Sequence, residues 1–356
     1  MFKNICAVAA LLLLLGGCKP NDGGDKFDRA AMLTNLVNNI IIPAHQAFSA
    51  SAAQLKIKKD SFTANPSSVT LDSLKAAFLS AYISYMKVET YSFTASGETR
   101  TLNVFVTDTS QINTNISTGA YNLSAANNIQ AKGFPALDYL LFSRSSNEIV
   151  NLFTTDVNAA KRIQYLNDIT NEIATTASGA TVAWNNSVSQ FISASGTDIG
   201  SSAGMLVNDL SFSSERCRRE RVGNSLGYIG TISSGNIAPY LLEAYHSAYS
   251  KELLAENLRQ LKTLYEGGSG SGFDDYLTYL NAEYNGQPLA PAISNQFDLV
   301  IQKAEIIPVN YSTALTNNRP DMESLFLELK KLTVMLKVDM SSQLGVIINY
   351  SDNDGD

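Results

Sequence analysis

The chain has 356 residues, 45% of them hydrophobic and only 17% charged, which excludes a disordered chain and leaves ample material for a core. Its formal net charge of −7 repels a phosphate backbone and argues against nucleic acid as a partner. The length is sufficient for two domains of ordinary size.

The N-terminus reads as a targeting segment. Lys3 supplies a positive start, and Ala7 to Leu15 is an apolar run too short to span a bilayer as a helix. It leads into Leu15-Gly16-Gly17-Cys18, which resembles a bacterial lipobox. The resemblance implies that 1–17 is a signal peptide, that Cys18 carries lipid, and that 18–26 is a polar tether to the membrane. The expected address is the bacterial cell envelope, lipid-anchored at the outer membrane on its periplasmic or surface side. Cys6 would leave with the signal, so Cys217 is the one thiol left and no intrachain disulfide can form. A buried, inert thiol is the expectation for it.

From residue 27 onward the pattern is helical. Leu33, Leu36, Val37, Ile40, Ile41, Ala44 and Phe48 fall on one helix face, with Pro43 predicting a kink or break. Leu71, Leu74, Phe78, Ala81, Tyr82, Tyr85 and Val88 repeat the spacing behind Thr70 as N-cap. Further helices are predicted over 149–177, 182–194, 202–221, 238–265, 273–284, 292–306 and 321–344. Leu102–Val106 and Val346–Tyr350 are the best short strands. The stretch 94–132 is rich in Ser, Thr, Asn and Gly, and a long loop in a compact domain is usually functional. The turn-rich SGTDIGSS at 195–202 marks a boundary between an N-terminal bundle, 27–200, and a C-terminal bundle, 201–356. The fold class is therefore all-α, two helical bundles with a cleft between them. Asp138-Tyr139-Leu140 and Asp275-Tyr276-Leu277 echo one another as a weak sign of internal duplication.

The chemistry-bearing residues are few. His45 and His246 are the only histidines, and each reads as a packed or surface side chain. No H-E-x-x-H is present. The glycine-rich 267–272 lacks the Lys-Ser/Thr of a phosphate loop, and the terminal DNDGD resembles only the start of a calcium loop. In KGFPALDYLLF, 132–142, a single acid, Asp138, precedes an apolar run. It reads either as a ligand contact or as a helix-start acid that complements the helix dipole.

That stretch also carries a family resemblance. GFPALDYLLF sits where the imelysin family has its G-x-H-x-x-E signature. YMKVETYSF at 85–93, RRERVGNSLG at 218–227, SKELLAENLRQLKTLYEG at 250–267, GFDDYL at 272–277 and LKVDMSSQLGVIINYSDNDGD at 336–356 are similar to the family too. The resemblance implies two helical-bundle domains with a site between them, an envelope address, frequent involvement in iron uptake, and a peptidase label (M75). Gly133 fits the first glycine, but Pro135 stands at the histidine position and Asp138 at the glutamate position. Glu89 resembles an acid upstream of the signature, and with Asp138 it would suit a hard cation through oxygen. A divalent cation or iron is thus the cofactor to look for, though zinc loses its imidazole anchor. By resemblance, and by position beside the glycine-rich turn, Asn208, Asp274 and Asp275 join Glu89, Gly133, Pro135 and Asp138 as expected cleft lining. The expected function is a non-catalytic, lipid-anchored protein that binds a small ligand or a metal or iron complex, with outer-membrane uptake proteins as partners. The alternatives are a metallopeptidase with a divergent metal site and an outer-membrane interaction scaffold.

Overall fold

The computed structural model describes residues 27–91, 93–229 and 235–350; Cys18 and the terminal DNDGD lie outside them. The chain is all-α in class. Its helices are α1 (Arg29–Asn35), α2 (Ile42–Ala64), α3 (Ser68–Met86), α4 (Thr109–Thr118), α5 (Gly133–Phe142), α6 (Ser146–Thr154), α7 (Ala159–Ser193), α8 (Ser202–Arg216), α9 (Asn224–Leu226), α10 (Ser250–Glu266), α11 (Phe273–Tyr279), α12 (Leu289–Ile306), α13 (Tyr311–Asn317), α14 (Arg319–Val334) and α15 (Ser341–Leu344). Among the described residues the strands are one two-residue hairpin, Glu283–Tyr284 with Gln287–Pro288.

Pro43 neither breaks nor ends the first helix. A π-helical stretch, Leu36–Ile41, joins α1 to α2, so the widened turn lies just ahead of the proline and absorbs its missing donor. The N-cap of α3 is Ser67 rather than Thr70. The Ser67 hydroxyl accepts from the Thr70 N–H at 3.2 Å, and the Thr70 hydroxyl accepts from the Ser67 N–H at 3.1 Å. The 149–177 and 182–194 pair is divided differently: α6 ends at Thr154, and α7 runs unbroken to Ser193 through Gly179.

Two predicted strands are absent. Leu102–Val106 follows a 3₁₀ turn, Gly97–Leu102, and Val346–Tyr350 runs irregularly along α8. The polar stretch 94–132 is not structureless, since it holds α4 and two 3₁₀ turns. Nor is 238–265 one helix. Residues 242–249 turn irregularly, with Ala244 and Ala248 at positive φ, and helix resumes only at Ser250.

The turn-rich 195–202 joins α7 to α8. In the first half α2 packs between α3 and α7; in the second α12 packs between α10 and α14. α3 lies against α10, and one contiguous apolar cluster takes buried side chains from both halves, from Met32 to Val346. Its aromatic centre is Phe48, Phe78, Tyr82, Tyr85 and Phe134, with the Phe134 and Tyr82 rings stacked 4.4 Å apart.

Candidate functional site

The geometry starts at Gly133. Its φ is +66°, and a Cβ there would collide with the Leu102 carbonyl, so only glycine brings the start of α5 this close to the 97–102 turn. Pro135 lies in the first turn of α5, where a missing N–H leaves nothing unpaired. Asp138 is not a helix-start acid: it lies mid-helix, 2% exposed, away from the dipole end. Its carboxylate crosses to the second half of the chain and accepts the backbone N–H groups of His246 at 2.8 Å and Ser247 at 3.0 Å. Burial raises its pKa to about 6 against the lowering effect of these bonds. The irregular 242–249 turn is shaped to present those two N–H groups, which explains why the predicted helix stops short there.

Glu89 follows α3 and is buried among Arg216, Asn103 and Arg221. Arg216 Nη1 donates to it at 2.7 Å, Asn103 Nδ2 at 2.9 Å, and Arg221 Nη2 also donates to it. Arg221 Nε reaches Glu243 at 2.7 Å, Asn103 Nδ2 donates to Glu243 at 2.6 Å, and the Tyr82 hydroxyl donates to Asn103 Oδ1 at 2.6 Å. Two carboxylates thus face two guanidiniums in the interior. Burial pushes the Glu89 carboxyl up, but the Arg216 and Arg221 charges outweigh it and bring the pKa to about 2. Arg216, Arg221, Asn103 and Glu243 were not candidates from the sequence. Side chains five apart diverge by about 140° on an α-helix. Here the stretch Cys217–Gly223 is π-helical, and i→i+5 bonding turns Arg216 and Arg221 toward the same acid, Glu89.

This network floors a cleft of about 400 Å³ lined by Arg100, Thr101, Asn103 and Phe105 from one half and Arg216 and Glu220 from the other. Arg216 Nε also pairs with Glu220 at 2.8 Å, and Arg100 lies 4.9 Å over the Phe212 ring.

A family model described as Imelysin (Peptidase_M75) matches residues 41–335. The chain belongs to the imelysin family. Two solved structures share its fold: an imelysin-like protein from Psychrobacter arcticum 273-4, with TM-score 0.69, and a candidate iron-regulated protein A precursor from Parabacteroides distasonis ATCC 8503, with TM-score 0.70. Each is 15% identical, and each alignment covers 91% of this chain and 97% of the other. No curated protein matches the chain.

The imelysin signature implies a metal, and the residues present do not fit one. Pro135 has no donor side chain, Asp138 is bound to backbone, and Glu89 is bound by two guanidiniums. Among the described residues no three of His, Cys, Asp and Glu gather into a group that could hold a metal ion. His45 is buried on Ser96 Oγ at 3.1 Å, and burial lowers its pKa to about 3. The His246 ring lies tilted against Tyr139, with centroids 5.3 Å apart. The Cys217 thiol is buried, donates to Asn257 Oδ1 at 3.2 Å, and is raised to about 11 by burial.

The seven expected lining residues fall in four places. Gly133, Pro135 and Asp138 lie on α5, and Glu89 lies behind the cleft floor. Asn208 instead pins the C-terminal segment, donating to Ile347 O at 3.0 Å and accepting from the Asn349 N–H at 2.9 Å. Asp275 accepts from the Gly272 N–H at 3.2 Å at the start of α11. Asp274 is half-buried beside it, raised to about 6 mainly by burial.

Proposed function

We propose that this imelysin-family protein is held at the bacterial envelope by lipid on Cys18 and binds a small anionic ligand, a metal complex, in the cleft without cleaving peptides. The observation that carries this reading is the occupation of the signature acids: Asp138 by backbone N–H groups and Glu89 by Arg216 and Arg221. A metallopeptidase needs several ligands on its metal and a base beside the bound water. The exposed guanidinium of Arg100 offers donors to an anion instead. Iron is the favoured metal because one structural neighbour is described as iron-regulated. Outer-membrane uptake proteins are the partners that this address supports.

Calorimetry with ferric citrate tests the reading. Arg100→Gln should weaken binding by about tenfold, the worth of one charge-assisted contact. Absence of binding, or chelator-sensitive peptide hydrolysis by the parent, defeats it. The anchor is tested separately. Cys18→Ser should move the protein from the membrane fraction to the soluble one, since stable anchoring needs more than one acyl chain. Retention through salt and carbonate washes would exclude lipid on Cys18.

A further inference from the structure

A second pocket lies away from the cleft, where α4, α5, α6 and α7 meet. It encloses about 260 Å³, and its polar lining is Asn113, Tyr139, Ser143, Arg144 and Arg162. Tyr139 and Ser143 stand four residues apart and share the outer face of α5, next to Asp138. The Tyr139 hydroxyl and the Asn113 amide bond one another at 3.0 Å.

Arg162 is the unusual member. Its Nε is enclosed without a hydrogen-bond partner, and among the described residues no carboxylate forms an ion pair with its guanidinium. Asp156, the nearby acid, accepts instead from the Asn158 N–H at 2.8 Å. Burial lowers the Arg162 pKa, and Arg144 adds a like charge against the pull of Asp156. Arg144 itself meets Glu148 only at 3.9 Å, and that carboxylate is taken by the backbone and hydroxyl of Ser145. A half-buried cation without an ion-pair partner is costly, and a second cation beside it raises the cost.

We propose that this pocket binds a phosphate group, free or as a monoester, between Arg144 and Arg162. Donors converge from α4, the end of α5 and α7, so they surround a ligand rather than flank it. A tetrahedral oxyanion has an oxygen for each, whereas a carboxylate offers two in one plane. At ~30 Å³ per water the space holds roughly nine waters, so a phosphate with a small organic substituent fits. The site is independent of the cleft and of its ligand.

The test is calorimetry on the full chain in low salt, with inorganic phosphate and with glycerol 3-phosphate. At least one should bind with a Kd below ~1 mM, and Arg162→Gln and Arg144→Gln should each weaken it by about tenfold, whereas Arg100→Gln in the cleft should not. Vesicles containing phosphatidic acid separate the sources: Arg162-dependent binding to them identifies a lipid headgroup, and binding of the soluble monoester alone identifies a free ligand. Without phosphate, Arg162→Gln should melt no lower than the parent, because it removes an unpaired charge. If neither probe binds at about 10 mM, or if Arg162→Gln melts lower with phosphate affinity unchanged, the pocket is not a phosphate site.

Discussion

Arg221→Met is expected to destabilise the fold by about 3–5 kcal/mol, the typical cost of removing one partner from a buried ion pair. Arg221 is 2% exposed and bonds both Glu89 and Glu243. Methionine fills comparable volume, so the loss isolates charge from packing. It leaves Glu243 with the Asn103 amide as its closest donor and Glu89 with Arg216 and Asn103. Arg221→Lys should recover little, because an ammonium cannot span two carboxylates as a planar fork does. Adding Glu243→Gln to Arg221→Met should restore part of the stability by removing the stranded charge. Urea unfolding measures all three; a loss below ~1 kcal/mol in Arg221→Met would mean that the network contributes little to the fold.

Asp138→Asn is expected to flatten the pH dependence of stability between about pH 4 and pH 6. The Asp138 pKa is about 6 in the fold against a reference value of 3.8. Between those values the folded chain holds a proton that the unfolded chain releases. The contribution is therefore fully present below 3.8 and is lost as the pH rises through 6. The whole gap corresponds to about 3 kcal/mol, of which about 2 kcal/mol falls between pH 4 and pH 6.5, so the parent should lose about 2 kcal/mol more than Asp138→Asn across the window. Glu89 acts in the opposite sense. Its pKa of about 2 lies below its reference value of 4.5, so its contribution is present above 4.5 and is lost as the pH falls through 2. Urea unfolding at pH values near 4 and 6.5 makes the comparison, and parallel curves for parent and variant would show that Asp138 is not the titrating group.

The helical class was legible because apolar residues recur at three- and four-residue spacing over most of the chain, as in Leu71, Leu74, Phe78 and Tyr82, all of them buried. Gly133 was legible as the first residue of the signature, and its positive φ against Leu102 supplies the physical reason. Helix limits were less legible. Ser67 and Thr70 are both good capping residues, and which one caps depends on where the chain turns in from Pro66. The helix predicted over 238–265 gives way at 242–249, where the Asp138 carboxylate holds two backbone N–H groups from a position more than a hundred residues away. The strand-like pattern of Val346–Tyr350 met an asparagine side chain, Asn208, rather than a neighbouring strand.

By itself the sequence determined the all-α class, the family, and the loss of the signature histidine to Pro135, because each is written in local spacing or residue identity. Only the tertiary structure decided what the acids do. A carboxylate has the same local signature whether it meets a metal, a guanidinium or a backbone N–H, and those partners arrive from distant segments. Arg216 and Arg221 face Glu89 together because a π-helical turn rotates them, and Arg162 lacks an ion-pair partner because no carboxylate among the described residues comes within pairing distance. The first needs a helix distortion as well as packing and the second needs packing alone, and no local pattern specifies either.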